Sequence, residues 1–104
     1  MTTDIIQKVD TKEDTDISEP KWFKVILIND DYTPIEFVVM ILRKVYGKST
    51  DDATRVTMEI HKNGQGIAGV YRFEIAEQKA FETLTIARGE KFPLNVKLEE
   101  TDSP

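Results

Sequence analysis

The spacing of apolar residues divides most of the chain into a short series of elements. Trp22-Phe23-Lys24-Val25-Ile26-Leu27-Ile28 is an aromatic and β-branched run that reads as a buried strand. It breaks at Asn29-Asp30-Asp31. A helix start follows, with Thr33 as N-cap, Pro34 at the first helical position, where its missing N–H costs nothing, and Glu36 three residues after the cap to close a capping box. Ile35, Val38, Val39, Leu42, Val45 and Tyr46 fall at helical spacing, and Gly47 ends the element. Ser49-Thr50-Asp51-Asp52 announces a second helix, with Ala53, Val56 and Ile60 on one stripe, His61 in the last turn and Asn63-Gly64 as the stop. Gly66 to Phe73 reads as a second strand, its glycines suited to the close approach of another backbone. Ala76, Ala80, Leu84 and Ala87 mark a third helix over about 75–88, and Leu94, Val96 and Leu98 alternate with polar residues in a last strand. The order is β-α-α-β-α-β, a small single-domain α/β (α+β) sandwich without internal repeats.

Charge divides the chain differently. The net charge is −5 over 104 residues, yet residues 1–20 hold six acids against two lysines and residues 99–104 hold three acids and no base. These ends carry −7, which leaves residues 21–98 at +2. The first twenty residues have no helical or strand period, so burial could not offset about 1–2 kcal/mol of backbone entropy per ordered residue. They read as a disordered acidic arm (1–20), followed by a core domain (21–99) and a disordered tail (100–104). With no cysteine, disulfide frameworks, thiolate nucleophiles and Cys-based zinc sites are excluded, and a reducing cytoplasm is the expected compartment. The apolar runs fall short of the roughly 18 residues of a membrane span, and the acidic start lacks a signal peptide's basic flank. Dispersed basic residues and an acidic balance argue against nucleic acid or an anionic membrane as partner.

Two places could carry chemistry. Asn29-Asp30-Asp31, between a strand and a helix, is either turn chemistry or a cluster of acceptors suited to a cation. His61, the single histidine, is either a surface residue complementing a helix dipole or a partner of that cluster. One histidine beside adjacent aspartates lacks metal-ligand spacing, the serines lack a nucleophile elbow, and the glycines fit no phosphate loop. The sequence reads as a binding protein and not an enzyme, with no metal and no cofactor. On the residues alone, a binding adaptor, a ribosome-associated interaction module and a small metal-dependent enzyme remain the competing classes.

The run from Lys24 to Val38, Lys-Val-Ile-Leu-Ile-Asn-Asp-Asp-Tyr-Thr-Pro-Ile-Glu-Phe-Val, closely resembles the signature of the ClpS family. Asp52-Ala53-Thr54 leading to His61, Gly69-Val70-Tyr71, Glu74 through Lys79, and Pro93-Leu94 agree with it in order, so the resemblance covers residues 21–99. It implies three antiparallel strands and three helices, like the C-terminal domain of the ribosomal stalk protein. It implies an adaptor that binds proteins whose first residue is Phe, Leu, Tyr or Trp and hands these N-degron substrates to a Clp protease.

The resemblance also assigns residues. Asn29, Asp31 and His61 match positions that bind the free α-amino group, and Asp30 matches a neighbouring acidic position. Ile35, Val38, Thr57, Ile60 and Leu94 match the pocket for the first side chain. Glu74 and Lys79 match the region contacting the N-terminal domain of a ClpA- or ClpC-type unfoldase, and the acidic arm fits the family's delivery model. An ammonium has three donors, which an amide oxygen, a carboxylate and a neutral imidazole can meet. Many relatives carry Met at the positions of Ile35 and Thr57, so the resemblance implies a differently shaped cavity and an altered ranking of first residues.

Overall fold

The computed structural model describes residues 21–104, and the expected arm lies outside them. The elements run β1 (Trp22–Ile28), α1 (Ile35–Lys44), α2 (Thr50–Asn63), β2 (Gln65–Arg72), α3 (Phe73–Gly89) and β3 (Asn95–Thr101). The three strands form one sheet in the order β2-β1-β3, with both neighbours antiparallel to β1. Strand β1 is central because it is the most apolar, and its Val25 and Leu27 are fully buried. These residues join Val96 and Leu98 of β3 and the apolar stripes of the helices in one core. Burying side chains of this size contributes about 1.5–3 kcal/mol each.

Several element ends differ from expectation. Thr33 does not cap α1: Pro34 stands at the N-cap in extended conformation with no side-chain cap hydrogen bond, and the Thr33 hydroxyl turns back to Asp30. A residue before proline is biased away from helix, so Thr33 belongs to the turn. Ser49 does cap α2, its hydroxyl accepting the Asp52 N–H, and Gly64 ends that helix at φ +90. Phe73 opens α3 instead of ending β2, its ring packed edge-on against Phe23 at 5.3 Å. Strand β3 continues to Thr101, opposite Trp22, while Lys21 and Glu100 pair at 2.9 Å. Two residues expected in the tail are therefore strand.

The close approaches in β2 are made by side chains and not by a neighbouring backbone. A Cβ on Gly66 would meet Ile60 Cγ1 of α2 at 2.7 Å, and one on Gly69 would meet the Tyr71 ring. The ladder between β1 and β2 shifts register at Val25/Ile26, where Ala68 is left without an opposing residue.

Candidate functional site

The site lies where β1 runs out. Ile28 ends the strand, and the Asn29 N–H donates to the Gly64 carbonyl at 2.9 Å. That bond ties the end of β1 to the end of α2, and so brings Asn29 beside the helical turn that carries His61. The chain then bends through 31–33 into α1.

Asp30 fixes that bend. Its Oδ1 accepts the N–H groups of Tyr32 and Thr33, each at 2.7 Å, and its Oδ2 accepts the Thr33 hydroxyl at 2.7 Å. This is an Asx-type turn completed by a side-chain bond. Partial burial pushes the Asp30 carboxyl up, but those three bonds, aided by the positive charge of Arg88, outweigh it and hold the group below its ordinary value. Asp30 is thus committed to the turn. Asp31, next in sequence, is exposed, and its carboxylate has no hydrogen-bond or ion-pair partner among the described residues. The side chains of Asn29 and His61 likewise have none.

These residues border a cavity of about 220 Å³ lined by Asn29, Asp30, Asp31, Thr33, Ile35, Val38, Thr57, Ile60 and His61. Polar groups come from the β1–α1 turn and from His61. Apolar groups come from the facing sides of α1 and α2, with Val38 and Ile60 buried and Ile35 44% exposed at the rim. Thr57 is 2% exposed, and its hydroxyl donates to the Ala53 carbonyl at 2.7 Å. It therefore offers the cavity no spare donor.

The structure brings together Asn29, Asp30, Asp31, His61, Ile35, Val38, Thr57 and Ile60, and it adds Thr33, which the sequence had marked only as a cap. Leu94 is not in the lining. It is 1% exposed within the core, and its carbonyl, with that of Phe92, accepts from Arg88 Nη1 at 2.8 Å. Glu74 and Lys79 both lie on α3: Glu74 is exposed in the first turn, whereas the Lys79 ammonium donates to the Val45 carbonyl at 2.7 Å. Among the described residues no group of three His, Asp or Glu side chains is placed to hold a metal ion. No described helix is long and apolar enough to cross a membrane.

Comparison with known proteins gives a consistent result. The sequence profile described as ATP-dependent Clp protease adaptor protein ClpS matches residues 18–97. The chain is 43% identical over 96 residues to the ATP-dependent Clp protease adapter protein ClpS of Bdellovibrio bacteriovorus, covering 92% of this chain and 77% of that one. It is 44% identical over 93 residues to the protein of that description from Campylobacter jejuni, covering 89% and 97% of the two chains. Among solved structures it resembles Agrobacterium tumefaciens ClpS2 bound to L-phenylalaninamide, with a TM-score of 0.77 and 41% identity over 80% of this chain and 100% of that one.

Proposed function

The chain belongs to the ClpS family of ATP-dependent Clp protease adaptors, and we propose that it binds the free first residue of N-degron proteins (Phe, Leu, Tyr or Trp) and delivers them to a Clp AAA+ unfoldase-protease. One observation carries this reading: Asn29, Asp31 and His61, none with a side-chain partner among the described residues, border the same cavity as the apolar side chains of Val38 and Ile60. The ligand named for the Agrobacterium ClpS2, L-phenylalaninamide, carries both a free α-amine and an apolar ring.

The chemistry follows from the two kinds of wall. An α-ammonium at the mouth donates to the Asn29 amide oxygen, the Asp31 carboxylate and a neutral His61 ring nitrogen. Such charge-assisted bonds are worth about 1.5–3 kcal/mol each. The attached side chain enters the cavity between α1 and α2 and adds about 1.5–3 kcal/mol, before the ordering costs of association. An internal peptide bond offers no ammonium, so recognition is confined to chain starts. The protein contributes binding and no bond cleavage, acting as an adaptor in the cytoplasm.

Delivery requires a second surface. We place the contact with the N-terminal domain of a ClpA- or ClpC-type unfoldase on α3 around Glu74 and Lys79, supported by the exposure of Glu74. Because Lys79 also anchors the end of α1, Glu74→Lys is the cleaner probe. The acidic segment 1–20 serves as the delivery arm: deleting residues 1–17 is expected to leave peptide binding intact and abolish degradation of a delivered substrate.

The decisive test is titration of the full chain with a Phe-initiated peptide and its N-acetylated twin. Binding of the free-amine peptide alone supports the reading, and equal binding of both, or of neither, overturns it.

A further inference from the structure

Gly66 lies in β2, outside the cavity, yet it meets one of the cavity's walls. A Cβ built on Gly66 would lie 2.7 Å from Ile60 Cγ1, 3.6 Å from Ile60 Cδ1 and 3.5 Å from the Val56 carbonyl oxygen. Ile60 is 3% exposed and lines the cavity, and Gly66 stands opposite Leu27, which is fully buried. The branched side chain of Ile60 therefore occupies the room that a side chain at position 66 would fill. A β-branched residue on a helix has one strongly preferred χ1, so Ile60 cannot swing away freely. The surrounding core, with Val56, Leu27 and Val96 all nearly or fully buried, is close-packed and yields little. The open cavity is the side on which Ile60 has space to move.

We propose that Gly66 is a specificity-determining residue acting through Ile60: by lacking a Cβ it seats Ile60 against the sheet and keeps the cavity wide enough for an aromatic first side chain. Gly66 touches no substrate, so it is a positioning residue. The inference rests on the N-degron reading above. Adding one methyl at position 66 drives Ile60 toward the cavity and narrows it, which penalises Trp most, Phe next and Leu least. Ile60→Ala removes Cγ1 and with it the contact that moves the wall, so the two positions act as a pair and not as independent sites.

The test uses the full chain, the variants Gly66→Ala, Ile60→Ala and their double, and peptides beginning with Trp, Phe or Leu, all with a free α-amine. Gly66→Ala is expected to weaken Trp and Phe binding by about tenfold relative to Leu, as overpacking costs of this kind allow. In the Ile60→Ala background, adding Gly66→Ala is expected to change the Trp-to-Leu affinity ratio by less than about twofold, the non-additivity of coupled neighbours. If Gly66→Ala does not fold, the change is made in the Ile60→Val background, which gives up Cδ1 but keeps the carbon that meets position 66: the Trp-to-Leu ratio is expected to fall there too, and no fall overturns the proposal. A Gly66→Ala protein with a lowered melting temperature but an unchanged ratio overturns the proposal, as does a Gly66→Ala shift that is equally large in the Ile60→Ala background. Failure of the unaltered protein to bind any of the three peptides overturns the N-degron reading and this inference with it, whereas normal binding with an unshifted ratio removes this inference alone.

Discussion

Helix α1 is flanked by two polar clusters built on opposite plans. At its far end, the Tyr46 hydroxyl lies 2.7 Å from Thr83 Oγ1, the Thr83 hydroxyl is 2.8 Å from the Lys79 carbonyl, and the Lys79 ammonium donates to the Val45 carbonyl at 2.7 Å. Each of these groups finds its partner inside the protein. At the near end, the Asp30 carboxylate is taken up in the same manner, but the side chains of Asn29, Asp31 and His61 are exposed and have no partner among the described residues. Water solvates exposed acceptors at small cost, so the near end can hold unspent hydrogen-bonding capacity that a buried cluster could not tolerate. Closed clusters contribute to stability; the open one is available to a ligand.

The sharpest way to separate the two is to remove the ligand's charge. N-acetylation of a Phe-initiated peptide is expected to weaken binding by roughly a hundredfold or more, since it eliminates several charge-assisted bonds together. Isothermal titration of the matched pair reads this directly. Next in size, Asp31→Ala or His61→Ala should lose about ten- to thirtyfold in affinity while the melting temperature stays within about 2 °C, because neither side chain is spent on the fold.

Asp30 distinguishes bracing from contact. Asp30→Asn keeps an oxygen for the Tyr32 and Thr33 N–H groups and should bind within about threefold, whereas Asp30→Ala should lose roughly tenfold through disorder of the turn. An Asp30→Asn loss equal to that of Asp31→Ala would show a direct charge role instead. Since the folded-state value of Asp30 is depressed, its contribution to stability is present above the ordinary carboxylate range and disappears as pH falls through the folded value. Acid melts of Asp30→Asn should lack that component.

At the closed end, Tyr46→Phe should cost about 1 kcal/mol in chemical denaturation and leave peptide affinity unchanged. Burial pushes the Tyr46 phenol well above its ordinary value, with the bond to Thr83 partly opposing. The unfolded chain therefore ionises first, so this stabilisation is complete below about pH 10 and fades above it. Tyr46→Phe should flatten the alkaline limb of the stability curve. The smallest effect is expected from Thr57→Val, which deletes a hydroxyl already satisfied by Ala53 and should change Phe-peptide affinity by less than about twofold. Thr57→Met together with Ile35→Met should instead alter the ranking of Phe, Tyr, Trp and Leu; an unchanged order would remove the role assigned to those two positions.

Much of the fold is legible in the sequence. The unbroken apolar run of β1, the Ser49 cap and the Gly64 stop are local signals, readable from a few adjacent residues, and they fall where the periodicity places them. Juxtaposition of the β1–α1 turn with His61 was legible only through family resemblance, because the bond that creates it, Asn29 N–H to Gly64 carbonyl, joins two loop ends far apart in sequence. The capping pattern fails at Thr33 because the proline that follows biases it away from helix, and in the turn its hydroxyl donates to the Asp30 carboxylate. Leu94 reads as a cavity residue on resemblance, but Arg88 holds its carbonyl and the core takes its side chain. Nothing in the local pattern marks Lys79 as a brace for α1, since its partner is a backbone carbonyl 34 residues away.

The placement of Trp22 has a practical optical consequence. The chain's one tryptophan opens β1, with the Arg72 guanidinium 3.8 Å from its ring centre, while the cavity lies past the other end of that strand. Six residue steps at about 3.3 Å put roughly 20 Å between them. Its native emission should therefore stay silent when an aliphatic peptide fills the cavity and respond to events where the acidic segment joins the fold. A Leu-initiated peptide carrying a dye with its own emission band leaves Trp22 as the chain's intrinsic reporter, so a single cuvette can follow the two ends of β1 at separate wavelengths.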